Sequence, residues 1–279
     1  MEMSSKRLLF GTGGVPRSTK GTSSISGIKR IRELGLDCME LEFVQGVRMS
    51  EKGAKNVLEA AKKEEVALSV HAPYYINLNS YEDEKLKASL ERIYKAARIG
   101  SLCGAESIVL HAGFYQKSHK QDTYESVSKA LKELTQQIQD EGIPAVLRPE
   151  TMGKRTQFGT LEEVLDLSSE IEGVMPCLDF CHLHAREGKE NSYSEFMEIL
   201  SRVEESLGKE GLSNMHIHVS GVEYSTNGEK RHLNLKESDF NYSELMIALK
   251  EFKARGRVII ESPILEQDAL MLKEIYTEL

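Results

Sequence analysis

The chain has 279 residues, of which 40% are apolar and 29% are charged, and its formal net charge is −8. This composition is typical of a globular protein with a sizeable core, and it excludes a globally basic nucleic-acid binder, although bound metal ions and a local basic rim can supply positive charge. No apolar run reaches the roughly 20 residues that span a membrane, and the first residues lack the apolar core of a signal peptide, so we expect a cytoplasmic protein without a membrane partner.

Short segments rich in β-branched residues alternate along the chain with segments of helical periodicity. One helical segment shows the pattern clearly, because Val127, Ala130, Leu131, Leu134 and Ile138 fall on one face. The predicted strands cover residues 8–14, 38–43, 67–73, 107–113, 145–152, 174–180, 214–220 and 257–263. The predicted helices cover residues 24–34, 51–64, 82–102, 122–140, 161–170, 193–207, 241–254 and 266–277.

This regular alternation predicts an α/β fold with a parallel sheet, and eight units are the number that closes a (β/α)8 TIM barrel. No break in composition divides the chain, so we predict one barrel domain over residues 1–279. A doubly wound open sheet is the alternative. In a TIM barrel the active site lies at the C-terminal ends of the strands, which is where we expect the functional residues.

Imidazole or carboxylate groups stand at the ends of six consecutive predicted strands, from the third to the eighth. Histidine, aspartate and glutamate are the main protein ligands for zinc, manganese and iron, so converging strands would build one large metal cluster. His216 shares a strand face with His218, and we expect it to lie one layer deeper in the barrel. The candidate ligands are His71, His111, Glu150, Asp179, His182, His218, His232 and Glu261.

Seven segments, in this order and spacing, resemble the endonuclease IV family of zinc-dependent abasic-site DNA endonucleases, which shares a TIM-barrel superfamily with xylose isomerase. They are HAPYYINL, VLHAG, RPETMG, LDFCH, HVSG, KRHLNL and IIESP, between residues 71 and 263. The resemblance implies that the eight candidate residues above bind two or three Zn²⁺ ions, with Mn²⁺ as an alternative ion, and that Glu150 and Glu261 bridge metal ions.

The resemblance also implies an activity, which is hydrolysis of the phosphodiester 5′ to abasic sites in damaged duplex DNA. Glu261 would orient or deprotonate the attacking water, and Glu150 would serve catalysis by bridging a metal pair. Tyr74 matches a family tyrosine near the abasic site, and Lys230 and Arg231 are candidates for phosphate contact. We expect a monomer.

One departure from the family pattern concerns the segment after the seventh strand. The family has an Asp-x-His pair there, and this chain has Lys230, Arg231 and His232 instead. A lysine therefore replaces one expected ligand. Glu229 lies one residue out of register and could replace the aspartate if the segment shifts.

Two other functions remain open at this stage. A divalent-metal-dependent sugar isomerase or epimerase of the same superfamily could use Glu150, Asp179, His218 and Glu261, and the acidic net charge and the missing aspartate favour it. A surplus of histidines favours the nuclease. A non-enzymatic binding protein on a degenerate barrel would require these ligands to be vestigial.

Overall fold

A computed structural model describes residues 7–279 of the chain. In these residues eight parallel strands form one sheet, and a separate antiparallel hairpin follows the seventh strand. The parallel strands are β1 (Leu8–Gly13), β2 (Cys38–Glu42), β3 (Ala67–His71), β4 (Ser107–Leu110), β5 (Val146–Pro149), β6 (Leu178–Asp179), β7 (Met215–Val219) and β10 (Gly256–Ile260), and the hairpin strands are β8 (Gly221–Ser225) and β9 (Gly228–Leu233).

The helices pack around this sheet, and most of them follow a parallel strand directly in the chain. In α4 the five apolar residues that were predicted to share a face are all buried. The helices are α1 (Ser24–Glu33), α2 (Glu51–Glu64), α3 (Asp83–Leu102), α4 (Lys120–Asp140), α5 (Leu161–Glu170), α6 (Phe180–Glu187), α7 (Tyr193–Ser213), α8 (Tyr242–Glu251) and α9 (Glu266–Glu278), with a short 3-10 helix at Leu235–Glu237.

The sheet runs in the order β5–β4–β3–β2–β1–β10–β7–β6, and its two ends meet. Leu147 and Glu150 form isolated parallel bridges with Val174 and Cys177, and the Cys177 amide donates to the Pro149 carbonyl at 3.0 Å. The segment before β6 therefore pairs with β5 and closes the barrel. The predicted (β/α)8 fold is confirmed, and the open-sheet alternative is wrong.

Two elements differ from the prediction. Helix α6 begins directly after β6, and seven of its eight side chains are buried, so it lacks the one-sided apolar pattern that predicts a helix. The β8–β9 hairpin stands where a long loop was expected, because its polar sequence shows little alternation. In the described part of the chain, no helix is both long and apolar enough to cross a membrane.

Gly11 marks the closest approach between β1 and β2. A Cβ atom at this position would lie 1.8 Å from the Cys38 carbonyl oxygen, and both groups belong to rigid backbone. We expect Gly11→Ala to lower the free energy of unfolding of the metal-free protein by about 3 kcal/mol, measured by urea denaturation.

The matched control is Gly53→Ala in α2, where the added Cβ meets no atom nearer than 3.4 Å. That change should stabilise the protein by up to about 1 kcal/mol, because alanine has the higher helix propensity. Equal stability of the two variants would contradict the packing argument.

Candidate metal centre

The C-terminal mouth of the barrel brings all eight predicted ligands together. Their potential donor atoms form three overlapping groups, and within each group the atoms lie within 4.8 Å of one another. The first group is His71, His111 and Glu150; the second is Glu150, Asp179, His218 and Glu261; the third is Asp179, Cys181, His182 and His232.

The first group is built by the ends of three neighbouring strands, β3, β4 and β5. One carboxylate oxygen of Glu150 lies 3.3 Å from His71 Nε2 and 3.1 Å from His111 Nε2. The other ring nitrogen of His71 contacts the Ala72 carbonyl at 2.8 Å. This contact fixes the ring so that Nε2 faces the centre, an arrangement common for metal-binding histidines.

The second group lies at the middle of the mouth and shares Glu150 with the first. His218 Nδ1 lies 3.5 Å from Glu150 Oε1 and 3.5 Å from Glu261 Oε1. Asp179 completes the group from β6, and it is fully buried. Three carboxylates and one imidazole are a donor set suited to a divalent transition metal.

Helix α6 explains how Asp179 serves two purposes. Asp179 is the N-cap of this helix, and its Oδ1 accepts a hydrogen bond from the His182 amide at 2.8 Å. Its second oxygen is buried without a hydrogen-bond partner. The D-x-x-H spacing therefore caps the helix with one oxygen and leaves the other for a metal ion, while the first turn of α6 carries His182 into the site.

The third group is completed by the hairpin, not by a loop as the sequence suggested. His232 lies on β9, and its Nε2 is 3.4 Å from His182 Nε2. Glu229 of the same strand places Oε2 at 3.5 Å from His182 Nε2. His232 and Glu229 therefore both lie beside His182 at the edge of the mouth.

A β-bulge in β9 brings Glu229 into this position. Glu223 pairs with Arg231 and the next residue, Tyr224, pairs with Glu229, so Lys230 is the extra residue of the bulge. Without the bulge, Glu229 and His232 would point to opposite faces of the strand. With it, they share a face, and Glu229 rather than Lys230 lies beside His182.

The predicted DNA contacts Lys230 and Arg231 point away from the candidate ligands and pair with a neighbouring carboxylate. Both side chains pair with Glu223, at 3.5 Å for Lys230 and 2.7 Å for Arg231, and they are 52% and 71% exposed. Tyr74 is placed differently. It is 50% exposed, and its ring stacks on His111 with a centroid distance of 5.2 Å, directly beside the first group.

The buried carboxylates of the mouth raise the pKa values of two of its histidines. Burial opposes protonation of His71, but a hydrogen bond that its ring donates to Glu150 and the charge of Glu42 raise its pKa to about 10. Burial likewise opposes protonation of His182, whereas Asp179 and Glu150 raise its pKa to about 10. Protons on these imidazoles therefore balance the buried carboxylates, and a metal ion must displace them to bind.

The residues present fit a cluster of divalent metal ions. The donor set is rich in imidazole and carboxylate, and Asp179 Oδ2 and both ring nitrogens of His218 are buried without hydrogen-bond partners. Sequence reasoning missed one further group, Glu40 on β2, which contacts His218 from below. The available signal was an acidic pair, Glu40 and Glu42, at alternate positions of an otherwise apolar strand.

Comparisons with known proteins agree with this architecture. A family model described as xylose isomerase-like TIM barrel matches residues 28–275. The chain is 45% identical to an uncharacterized protein of Methanocaldococcus jannaschii over 98% of each chain. It is 29% identical to a probable endonuclease 4 of Mycoplasmopsis pulmonis, over 82% of this chain and 76% of that protein.

Two solved structures share the fold at low sequence identity. A D-tagatose 3-epimerase-like protein has a TM-score of 0.73 at 23% identity and covers 96% of each chain. Endonuclease IV from Thermus thermophilus has a TM-score of 0.72 at 18% identity, over 96% of this chain and 99% of that one. These similarities support the fold and do not separate the two activities.

The bulge predicts that Glu229, and not Lys230, contributes to metal binding. Glu229→Gln should weaken the binding of one metal ion by about 10-fold or more, because an amide is a poorer ligand than a carboxylate. Lys230→Gln is the matched control and should leave every ion in place. Metal content after dialysis against a graded chelator series measures both, and loss of an ion from the Lys230 variant alone would contradict the assignment.

The raised pKa values predict proton release on metal binding. Imidazoles with a pKa near 10 are protonated at pH 7, so zinc should release more than one proton per protein, and its affinity should rise with pH up to about 10. The same protons stabilise the metal-free fold below the ordinary histidine pKa of about 6.5, and that stabilisation is lost as pH rises through about 10.

Calorimetry at pH 7 in two buffers with different ionisation enthalpies measures the released protons. His184→Gln is the control, because His184 pairs with Asp239 outside the three groups. Identical heats in the two buffers would contradict the prediction.

Proposed function

The chain belongs to the xylose isomerase-like TIM-barrel family, and from this premise we propose that it is a zinc-dependent endonuclease that hydrolyses the phosphodiester 5′ to abasic sites in duplex DNA. The observation that supports this most strongly is the third group. The donor atoms of Asp179, Cys181, His182 and His232 lie together beside the two groups that already fill the mouth, and Glu229 lies 3.5 Å from His182. A sugar isomerase with one or two ions does not need them.

The similarity to proteins named probable endonuclease 4 points in the same direction, since several such relatives match most of the chain. Within the proposed reaction, bound divalent ions would supply an activated water and positive charge against the phosphoryl oxygens. Glu261 lies at the end of β10, and its partly exposed carboxylate faces the opening of the mouth. It can accept a proton from a water molecule there, while the buried Glu150 holds four imidazoles in place.

The rim of the mouth offers groups for a damaged duplex. Tyr74 lies exposed beside the first group, and Tyr75, the next residue, is also exposed. An aromatic ring that stacks on a base contributes about 1–3 kcal/mol. Lys230 and Arg231 remain our proposed phosphate contacts. Their ion pairs with Glu223 are exposed to solvent and therefore weak, so a phosphate can replace that carboxylate at little cost.

Among the other basic residues of the rim, Arg186 is less suited to DNA contact. It is buried and donates to the carbonyls of Met152 and Lys154, so it fixes a loop instead of facing solvent. Arg155 is 52% exposed and pairs with Glu187 at 3.0 Å, so it is as free to meet a phosphate as Lys230 and Arg231. Bound metal ions would add positive charge at the centre of the mouth.

A metal-dependent sugar isomerase or epimerase is the second candidate. The second group, Glu150, Asp179, His218 and Glu261, is a complete metal site by itself. Glu42 places a further carboxylate oxygen within 4.8 Å of Glu261, and two neighbouring carboxylates suit proton transfer on a sugar.

The deciding experiment is incision of a duplex oligonucleotide that carries one abasic site. We expect cleavage by the purified protein with zinc or manganese, no cleavage after chelation, and a rate at least about 100-fold lower for Glu261→Gln, because general-base removal typically has this effect. Glu205→Gln, an exposed glutamate of α7, is the control and should cleave normally.

Absence of cleavage with either metal, in protein shown to hold its ions, would contradict the nuclease proposal. Epimerisation of free ketoses by the same preparation would then support the second candidate, and Glu42→Gln would test its extra carboxylate.

A further inference from the structure

A carboxylate lies inside the barrel directly beneath the metal-ligating groups. Glu40 projects from β2 and is 0% exposed. Its two oxygens lie 2.9 Å from His218 Nε2 and 3.0 Å from His216 Nε2. In the sheet order β2 and β7 are separated by β1 and β10, so these contacts cross the interior of the barrel.

His218 is held between this carboxylate and the mouth. Its Nδ1 faces Glu150 and Glu261, each at 3.5 Å, and its Nε2 faces Glu40. A neutral histidine that binds a metal ion through one nitrogen carries its proton on the other. Glu40 is the carboxylate nearest to that second nitrogen, so it stands where the proton of a metal-bound His218 would point.

His216 gives Glu40 a second support. His216 and His218 lie on the same face of β7, and each of them contacts one carboxylate oxygen of Glu40. All three side chains are buried. A buried carboxylate is costly unless it is paired, and these two imidazoles are the groups that face Glu40 inside the barrel.

We propose that Glu40 is a positioning residue that orients His218 toward the metal ion of the second group, with His216 anchoring its other oxygen. Glu40 selects the His218 tautomer that exposes Nδ1 to the metal and makes that nitrogen a stronger donor. The inference rests on the metal centre of the proposed function but not on its nuclease activity. It applies equally to an isomerase built on the same second group.

The test measures metal affinity in the absence of any substrate. Glu40→Gln keeps the size of the side chain but removes its charge, and it should weaken binding of one metal equivalent by about 10–100-fold, as is typical when the partner of a metal-bound histidine is lost. The remaining equivalents should be unchanged. Competition with a chromophoric chelator, followed for zinc itself, resolves the equivalents.

Two further variants separate positioning from a structural effect. Glu266→Gln alters another buried glutamate, one that accepts from the Arg17 and Ser18 amides, and it should leave metal affinity unchanged. His216→Leu removes the anchor alone and should weaken the same equivalent by less than Glu40→Gln does. Any catalytic activity lost in the Glu40 and His216 variants should return when metal is added in excess.

Metal affinity equal to that of the unaltered protein in a folded Glu40→Gln variant would overturn the proposal. So would an equal loss in the Glu266 variant. If Glu40→Gln does not fold, unchanged affinity in His216→Leu would overturn it instead. Because no substrate is present, a failure of the nuclease proposal cannot produce any of these outcomes.

Discussion

The buried carboxylate of Glu150 organises the whole mouth of the barrel. It is 1% exposed, and each of its oxygens faces two imidazoles: His71 and His111 on one side, His182 and His218 on the other. Burial would raise its pKa, but His111 and His218 hold the pKa of Glu150 well below its ordinary value. A charge in this position is tolerable only if cations surround it, so the protein must hold either protons or metal ions here.

This constraint explains why the ligands come from so many elements. Neighbouring strands of a barrel end at different points around the mouth, and four imidazoles can surround one carboxylate only if several strands each contribute one. Helix α6 supplies His182 through the cap at Asp179, and the bulged strand β9 supplies His232 and Glu229. Helix α6 and the β-bulge of β9 therefore bring candidate ligands into the mouth that the regular strands of the barrel do not supply.

The sequence was sufficient to predict the barrel, because strand and helix periodicities alternate without interruption and the observed order closes the sheet. It also predicted the strand ends whose side chains the structure brings together at the mouth. The side-chain pairing of Glu40 could not be predicted, since it depends on a contact across the barrel between strands that are not neighbours. The same holds for the bulge at Lys230, because an extra residue changes which side chains share a face without changing composition.

The hairpin has a consequence for how such proteins diverge. Strands β8 and β9 form their own sheet and share no ladder with the barrel, yet β9 carries His232 of the third group and Glu229, which lies beside His182. A deletion in this hairpin, or a shift of its strand register by one residue, would change the number of metal ions that the mouth can bind. The barrel and the first two groups would stay intact. The two activities considered for this chain would then differ in a peripheral hairpin, without any rebuilding of the core.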